Sequence, residues 1–207
     1  MEATEREVLY SGAFGAGKSR IGCEKGLLLS LLYPGNRGLV GRSKFTDLRD
    51  TTMDTWFRYV MPDGLQATYN KQEHKLVLTN GSEILFYGID QPTKVGSLEV
   101  GWIFIDEIIE LTEEEYNMLL GRLRYPGVPF HQIFGATNPG SPHHWLYQRF
   151  YEDDELKKGG DIRVFESNAN ANPFTPDAYK KSLNTFKGKY KQRFVEGAWI
   201  SFEGLVY

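Results

Sequence analysis

The octapeptide Gly12-Ala13-Phe14-Gly15-Ala16-Gly17-Lys18-Ser19 decides the fold of this chain. It fits G-x-x-x-x-G-K-[ST] at every fixed position. The glycines let the backbone curl until several N–H groups point inward, which suits phosphate oxygens. Lys18 is placed to reach β- and γ-phosphates, and Ser19 to offer its hydroxyl to Mg²⁺. The flanks agree with the motif. Glu7–Ser11 reads as a short strand, and Ser19–Tyr33 as a leucine-dense helix that stops at Pro34-Gly35-Asn36. The positive end of that helix would add to the anion site.

Outward from the loop, strands and helices alternate. Gly38–Arg42 reads as a second strand. Lys44–Val60 reads as a helix with Leu48, Met53, Trp56, Phe57 and Val60 on roughly one side. Pro62-Asp63-Gly64 is a turn. Lys75–Thr79 and Ser82–Tyr87 are β-rich and flank Asn80-Gly81, a hairpin signal because both positions tolerate positive φ. Trp102–Ile105, Gln132–Thr137 and Ile162–Phe165 read as strands buried on both faces. Thr112 caps a helix in which Glu115 completes a capping box. Glu152–Lys158 reads as a solvated loop, and Asp177–Leu183 and Phe186–Phe194 as closing helices. The pattern predicts an α/β fold: a mainly parallel sheet with helices on both faces and an added β-hairpin.

Asp106-Glu107 closes the apolar run Trp102–Ile105. In nucleotide hydrolases an acid at the tip of a buried strand holds Mg²⁺, directly or through water. A second acid just beyond can orient or deprotonate the attacking water. Asp106 is therefore assigned to the metal and Glu107 to the water. The alternative is two acids that merely cap a strand at solvent. Thr137-Asn138 ends the next buried strand, at the same sheet edge where ligands bind in open α/β folds. The pair either hydrogen-bonds the γ-phosphate or the lytic water, or belongs to a plain Asn-Pro-Gly turn.

Composition bounds the remaining choices. The 207 residues suit one domain. A formal charge of -3 argues against a generally basic nucleic-acid binder, so a DNA contact needs a local patch. Cys23 is the single cysteine, which excludes a disulfide framework and a cysteine zinc site. It is expected to pack under the first helix, in a reducing cytosol. The N-terminus is too polar for a signal peptide, and no apolar run approaches bilayer-spanning length.

These elements, in this order and spacing, resemble the ATPase domain of the large terminase subunit of tailed bacteriophages. The similarity extends beyond the nucleotide motifs. It includes Gly41-Arg42-Ser43 through Arg49-Asp50-Thr51, the hairpin Leu76–Gly88, Gly121–Pro126 with Ala136–Pro139, Phe194–Trp199, and Glu203–Tyr207. The resemblance implies a P-loop NTPase fold of the RecA/ASCE-like type over residues 1–197. It places the start of a linker at 198–207, toward a ribonuclease H-like nuclease domain. No nuclease carboxylates follow Tyr207, so the chain is expected to be an isolated ATPase half without DNA cleavage.

The implied activity is Mg²⁺-dependent ATP hydrolysis that moves double-stranded DNA into a viral procapsid in the host cell cytoplasm. ATP and Mg²⁺ are the implied cofactors. The portal protein, the small terminase subunit and duplex DNA are the implied partners. A homo-oligomeric ring is expected on assembly and a monomer in isolation, with no membrane involved. Ring motors often complete the site with a neighbour's arginine. The terminase pattern directs that search to Gly88–Gly101, where Lys94 is the only base, and then to Arg122 and Arg124. Arg20 and Arg42 fit better in cis, beside the phosphate loop and at a strand's carboxyl end.

Two further features have competing readings. Lys180, Lys181, Lys187, Lys189, Lys191 and Arg193 occur with no acid among residues 180–193, a candidate for phosphate-backbone contact. Alternatively Leu183, Phe186, Tyr190 and Phe194 face the core and leave the cations in water. His143-His144 lacks an evident third metal ligand. Rival functions are another nucleic-acid-dependent P-loop ATPase, helicase-like, or a non-catalytic nucleotide sensor. Helicases usually need a second similar domain, and a sensor has no use for Glu107.

Overall fold

The computed structural model describes residues 3–168, 172–183 and 185–202. The strands are β1 (Glu7–Gly12), β2 (Arg37–Arg42), β3 (Ala67–Asn70), β4 (Lys75–Leu78), β5 (Glu83–Gly88), β6 (Trp102–Ile105), β7 (Gln132–Thr137) and β8 (Ile162–Ser167). They form one sheet in the order β3-β4-β5-β2-β6-β7-β1-β8. The pairs β5–β2, β2–β6, β6–β7, β7–β1 and β1–β8 are parallel. β3 and β4 add to one edge in antiparallel sense. This is the P-loop NTPase arrangement. β7 lies between β1 and β6, so its carboxyl end emerges between the phosphate loop and the acid pair.

Side chains alternate across the sheet and fill two cores. On one face Val8, Tyr10, Trp102, Phe104 and Phe134 pack with Cys23, Leu27 and Trp56. On the other, Leu9, Leu39, Ile103, Ile105 and Ile133 pack with Tyr116, Leu119, Leu146 and Phe150. The first face is covered by helix α1 (Lys18–Leu32) and by helical residues 45–60, named α2. Cys23 is fully buried in that core, as expected.

α1 approaches the sheet closely because Gly22 and Gly26 face the aromatic rings of β6. A Cβ on Gly22 would lie 2.1 Å from Phe104 Cε2, and one on Gly26 would lie 2.6 Å from Trp102. Phe104 is itself stacked on Phe134 with centroids 5.5 Å apart and has little room to retreat. Gly22→Ala gains about 1 kcal/mol of helix propensity. It forces overpacking that typically costs about 1–3 kcal/mol. The expected result is a melting temperature lowered by a few degrees, about 2–4 °C per kcal/mol for a chain of this size. A melting temperature at or above wild type by circular dichroism would disprove the tight contact.

The hairpin also anchors α1. Gly81 has φ 84, as the Asn80-Gly81 turn requires. Asn80 Nδ2 and Ser82 Oγ both donate to Ser30 O, at 2.9 and 2.7 Å. They satisfy a carbonyl that the end of the helix leaves open.

Four expectations are corrected. Residues 45–60 are helical but alternate α-turns with π-turns at Leu48–Thr52 and Trp56–Val60. The wider turns shift the register, so Phe57 is 37% exposed and sits at the margin of the core, against Tyr69 and one edge of Phe86. β8 is an edge strand, half-exposed, because only β1 pairs with it. Asp154–Gly159 is a short helix where a loop was expected. Asp153 caps it by accepting from the amides of Glu155 and Leu156, and Gly160 closes it at φ 74. Tyr190 is 56% exposed and outside the core, whereas Leu183 is buried. β3 and the turn Pro92–Val95 had no counterpart in the sequence reading. Glu203–Tyr207 lie outside the described residues.

Candidate nucleotide-binding site

The phosphate loop lies between β1 and α1, with Gly15 and Gly17 at φ 69 and 80. Lys18 is buried and folds back over the loop. Its Nζ donates to Gly12 O at 2.9 Å, Ala13 O at 2.7 Å and Asn138 Oδ1 at 3.0 Å. Burial pulls its pKa down to about 8 against the opposing pull of Glu107 and Asp106. Ser19 Oγ donates to Asp106 Oδ1 at 2.8 Å, and Thr52 Oγ1 donates to Asp106 Oδ2 at 2.7 Å. Both Asp106 oxygens are therefore fixed in direction.

Glu107 begins the turn after β6 with φ 50 and ψ 50. A non-glycine residue in this left-handed region stores strain and marks a site where geometry matters. Packing imposes the turn: the next residue, Ile108, is buried directly on Gly135 of β7, where a Cβ would lie 2.6 Å from its Cδ1. The Glu107 carboxylate accepts from Asn138 Nδ2 at 3.1 and 3.4 Å. Burial raises its pKa most, the neighbouring Asp106 charge adds to the rise, and Lys18 and Arg42 oppose it. Asn138 thus bridges Lys18 and Glu107 with the two ends of one amide.

Phe14, Gly15, Ala16, Gly17, Lys18, Ser19 and Arg20 line one side of a cleft of about 430 Å³, with Glu107, Asn138, Thr55 and Tyr59 around the rest. The remaining expected residues stand differently. Thr137 is fully buried, and its hydroxyl donates to Asn138 O at 2.8 Å, so it supports the turn and does not line the cleft. Arg20 lines the cleft but is paired with Glu24 at 2.7 Å. Arg42 sits at the carboxyl end of β2 and clasps Glu110 at 2.9 and 3.2 Å and Thr51 at 3.1 Å.

Lys94 rests over the Tyr87 ring at 5.7 Å, and neither it nor Arg122 or Arg124 lines the cleft. Arg122 donates to Gly96 O, and Arg124 pairs with Glu99 at 3.2 Å. Leu123 bridges Val100, just before β6, which puts both arginines at the sheet edge opposite the phosphate loop. Among the basic run, Arg193 donates to Pro139 O, Lys189 to Ser201 O, and Lys191 pairs with Glu196. His144 caps a helix by accepting from Leu146 N.

Sequence reasoning missed Thr52, Thr55 and Tyr59. They lie on the face of α2 that its apolar pattern leaves polar, and only the fold turns that face toward the loop. It also missed the contact of Phe14 with Phe194. The rings stack at 4.5 Å, and Phe14 N donates to Phe194 O at 3.1 Å.

Fold and site together define a P-loop domain with a phosphate loop, an acidic strand end and an intervening amide. The family model for the phage terminase large subunit matches residues 4–196, and the chain belongs to that family. The PBSX phage terminase large subunit of Bacillus subtilis strain 168 is 32% identical, over 85% of this chain and 44% of that protein. A large terminase from a thermophilic bacteriophage shares the fold at a TM-score of 0.82 and 16% identity, covering 95% of this chain and 49% of that one. The same terminase in complex with ADP matches at a TM-score of 0.80, with 16% identity and the same coverage. The chain thus spans about half the length of these relatives. No helix among the described residues is long and apolar enough to cross a membrane.

Proposed function

We propose that this chain binds ATP in the phosphate-loop cleft and hydrolyses it with Mg²⁺, as the motor part of a terminase that drives duplex DNA into a procapsid. The observation that carries this reading is the convergence of Lys18, Ser19, Glu107 and Asn138, drawn from three strand ends, on one cleft, with Asp106 buried behind Ser19 and bonded to it.

The residues fit a magnesium ion. Mg²⁺ takes oxygen ligands at about 2.0–2.1 Å in octahedral order, which sets adjacent ligands about 2.9 Å apart. Ser19 Oγ and Asp106 Oδ1 stand 2.8 Å apart. Ser19 and Asp106 would hold the ion, with phosphate oxygens and water completing the set. When bound, it neutralises phosphate charge. Loop amides cradle the phosphates, and Lys18 exchanges its carbonyl partners for β- and γ-oxygens. Glu107, poised as a base by its burial, takes a proton from the attacking water. Asn138 holds Glu107 in place and senses the γ-phosphate through its contact with Lys18.

Family membership supports, as part of this proposal, translocation, a ring assembled with portal and small subunit, and work in the host cell cytoplasm. Lys94, Arg122 and Arg124 lie outside the cleft of their own chain, so any catalytic part they play is toward a neighbour's nucleotide. Arg20 borders the cleft in cis, and Arg42, held by Glu110 and Thr51, acts in cis only through its charge on Glu107.

Phosphate release measured against protein concentration, with Mg²⁺ or EDTA and with or without DNA, tests the reading. Turnover is expected with Mg²⁺, absent in EDTA, and steeper than linear in concentration if a neighbour completes the site. No turnover under any of these conditions would overturn it.

A further inference from the structure

A second cleft of about 330 Å³ adjoins the first and shares Ala16, Gly17 and Arg20 with it. Its other walls are Ile21 and Glu24 of α1 and the segment Asn172-Pro173-Phe174. That segment is fastened to the phosphate loop: Asn172 Nδ2 and Thr175 Oγ1 both donate to Gly15 O, at 2.7 and 3.2 Å. Asn172 Oδ1 accepts from Phe174 N at 3.0 Å and fixes the turn that presents the ring. Tyr179 stands over the same glycine, its Cε1 2.8 Å from where a Cβ would be.

Among the described residues, no aromatic ring or cation packs on the Phe174 ring. Phe174 is 86% exposed, the most exposed of the large hydrophobic residues described, yet its backbone is pinned beside the loop. Polarity distinguishes the two clefts. The first contains Glu107 and Asn138 and is the γ-phosphate end. The second continues from Ala16, Gly17 and Arg20 along α1 to Ile21 and Glu24, and contains neither. A triphosphate whose γ-end faces Glu107 must leave the loop with its nucleoside at the end away from Glu107.

Resting on the ATP-binding reading above, we propose that this second cleft is the nucleoside subsite, in which the purine ring stacks on Phe174 against Ile21. Arg20, paired with Glu24, borders both clefts and lies at the ribose and α-phosphate. A flat apolar face on a fastened turn recognises any π-face, so the subsite contributes affinity more than choice of base.

Titration calorimetry with Mg-ADP and with Mg-tripolyphosphate, which has no nucleoside, tests this on wild type, Phe174→Ala and Phe174→Trp. Phe174→Ala is expected to weaken ADP about tenfold, within the range of one aromatic–base stack. It should leave tripolyphosphate affinity unchanged, and Phe174→Trp should restore ADP. Because the side chain is exposed, its loss does not disturb the fold. Equal ADP affinity in wild type and Phe174→Ala would overturn the subsite, as would equal loss for both ligands. Failure of wild type to bind either ligand would instead overturn the ATP-binding reading itself.

Discussion

Glu107→Ala is expected to bind ATP within a few-fold of wild type and to lose about 10²–10⁴ of its turnover, the range of a positioned general base. The reason is geometric. Glu107 makes no hydrogen bond to the phosphate loop; its carboxylate accepts from Asn138 alone among the described side chains. Loop amides, Lys18 and the Ser19–Asp106 pair that would bind the triphosphate keep their partners when it is removed. Glu107→Gln sharpens the test. The amide keeps the size and can still accept from Asn138 but cannot take a proton, so turnover should fall as far as with alanine. Single-turnover phosphate release and nucleotide binding, measured on the same preparations, separate the two effects. Turnover within threefold of wild type for either variant would show that the water is activated elsewhere. Loss of binding in parallel would show that Glu107 is part of the nucleotide cradle.

The phosphate loop was legible because its chemistry is local. Eight consecutive residues build it, and a strand and a helix flank it. Asp106-Glu107 was legible because a continuous apolar run before two acids names a strand end. What the sequence could not supply was the order of strands. β7 lies between β1 and β6 only in space. That placement makes Asn138 the bridge between Lys18 and Glu107 and leaves Thr137 beneath it. Residues alone left both open as ligands or as a turn, and the fold divides the roles: the asparagine faces the cleft and the threonine supports the turn.

The fold misreadings have a common physical cause. Amphipathic spacing assumes regular turns, and the π-turns of residues 45–60 break that assumption, which moved Phe57 outward. A run of apolar residues identifies a strand but not its neighbours, so edge strand β8 read like a central one. Short elements such as β3 and Asp154–Gly159 are held by a partner strand or by caps, not by propensity. The same limit hid Phe174, whose significance lies in Asn172 and Thr175 reaching back to Gly15, far away in sequence.

Arg149→Ala is expected to destabilise the domain by about 3–5 kcal/mol, the usual cost of leaving one member of a buried ion pair alone. Glu7 opens β1, the strand that delivers the phosphate loop, and is 3% exposed. Arg149 Nε and Nη2 grip both of its oxygens at 2.7 Å, and Tyr116 OH donates at 2.6 Å. The fork geometry makes this a bidentate charge-assisted contact, stronger than an exposed pair. Its hydrogen bond to Glu7 holds the guanidinium protonated, and burial, aided by Glu7, keeps the tyrosine hydroxyl neutral. Tyr116 alone cannot compensate a carboxylate stranded in the aliphatic core. At about 2–4 °C per kcal/mol the melting temperature should fall by about 6–20 °C. The double variant Glu7→Gln with Arg149→Met removes both charges while filling most of the volume. It should recover much of the loss, because the penalty belongs to the unpaired charge and not to the missing contact. A single variant that melts within 2 °C of wild type would mean that water reaches Glu7. A double variant no more stable than the single would mean that Arg149 acts through packing, not charge.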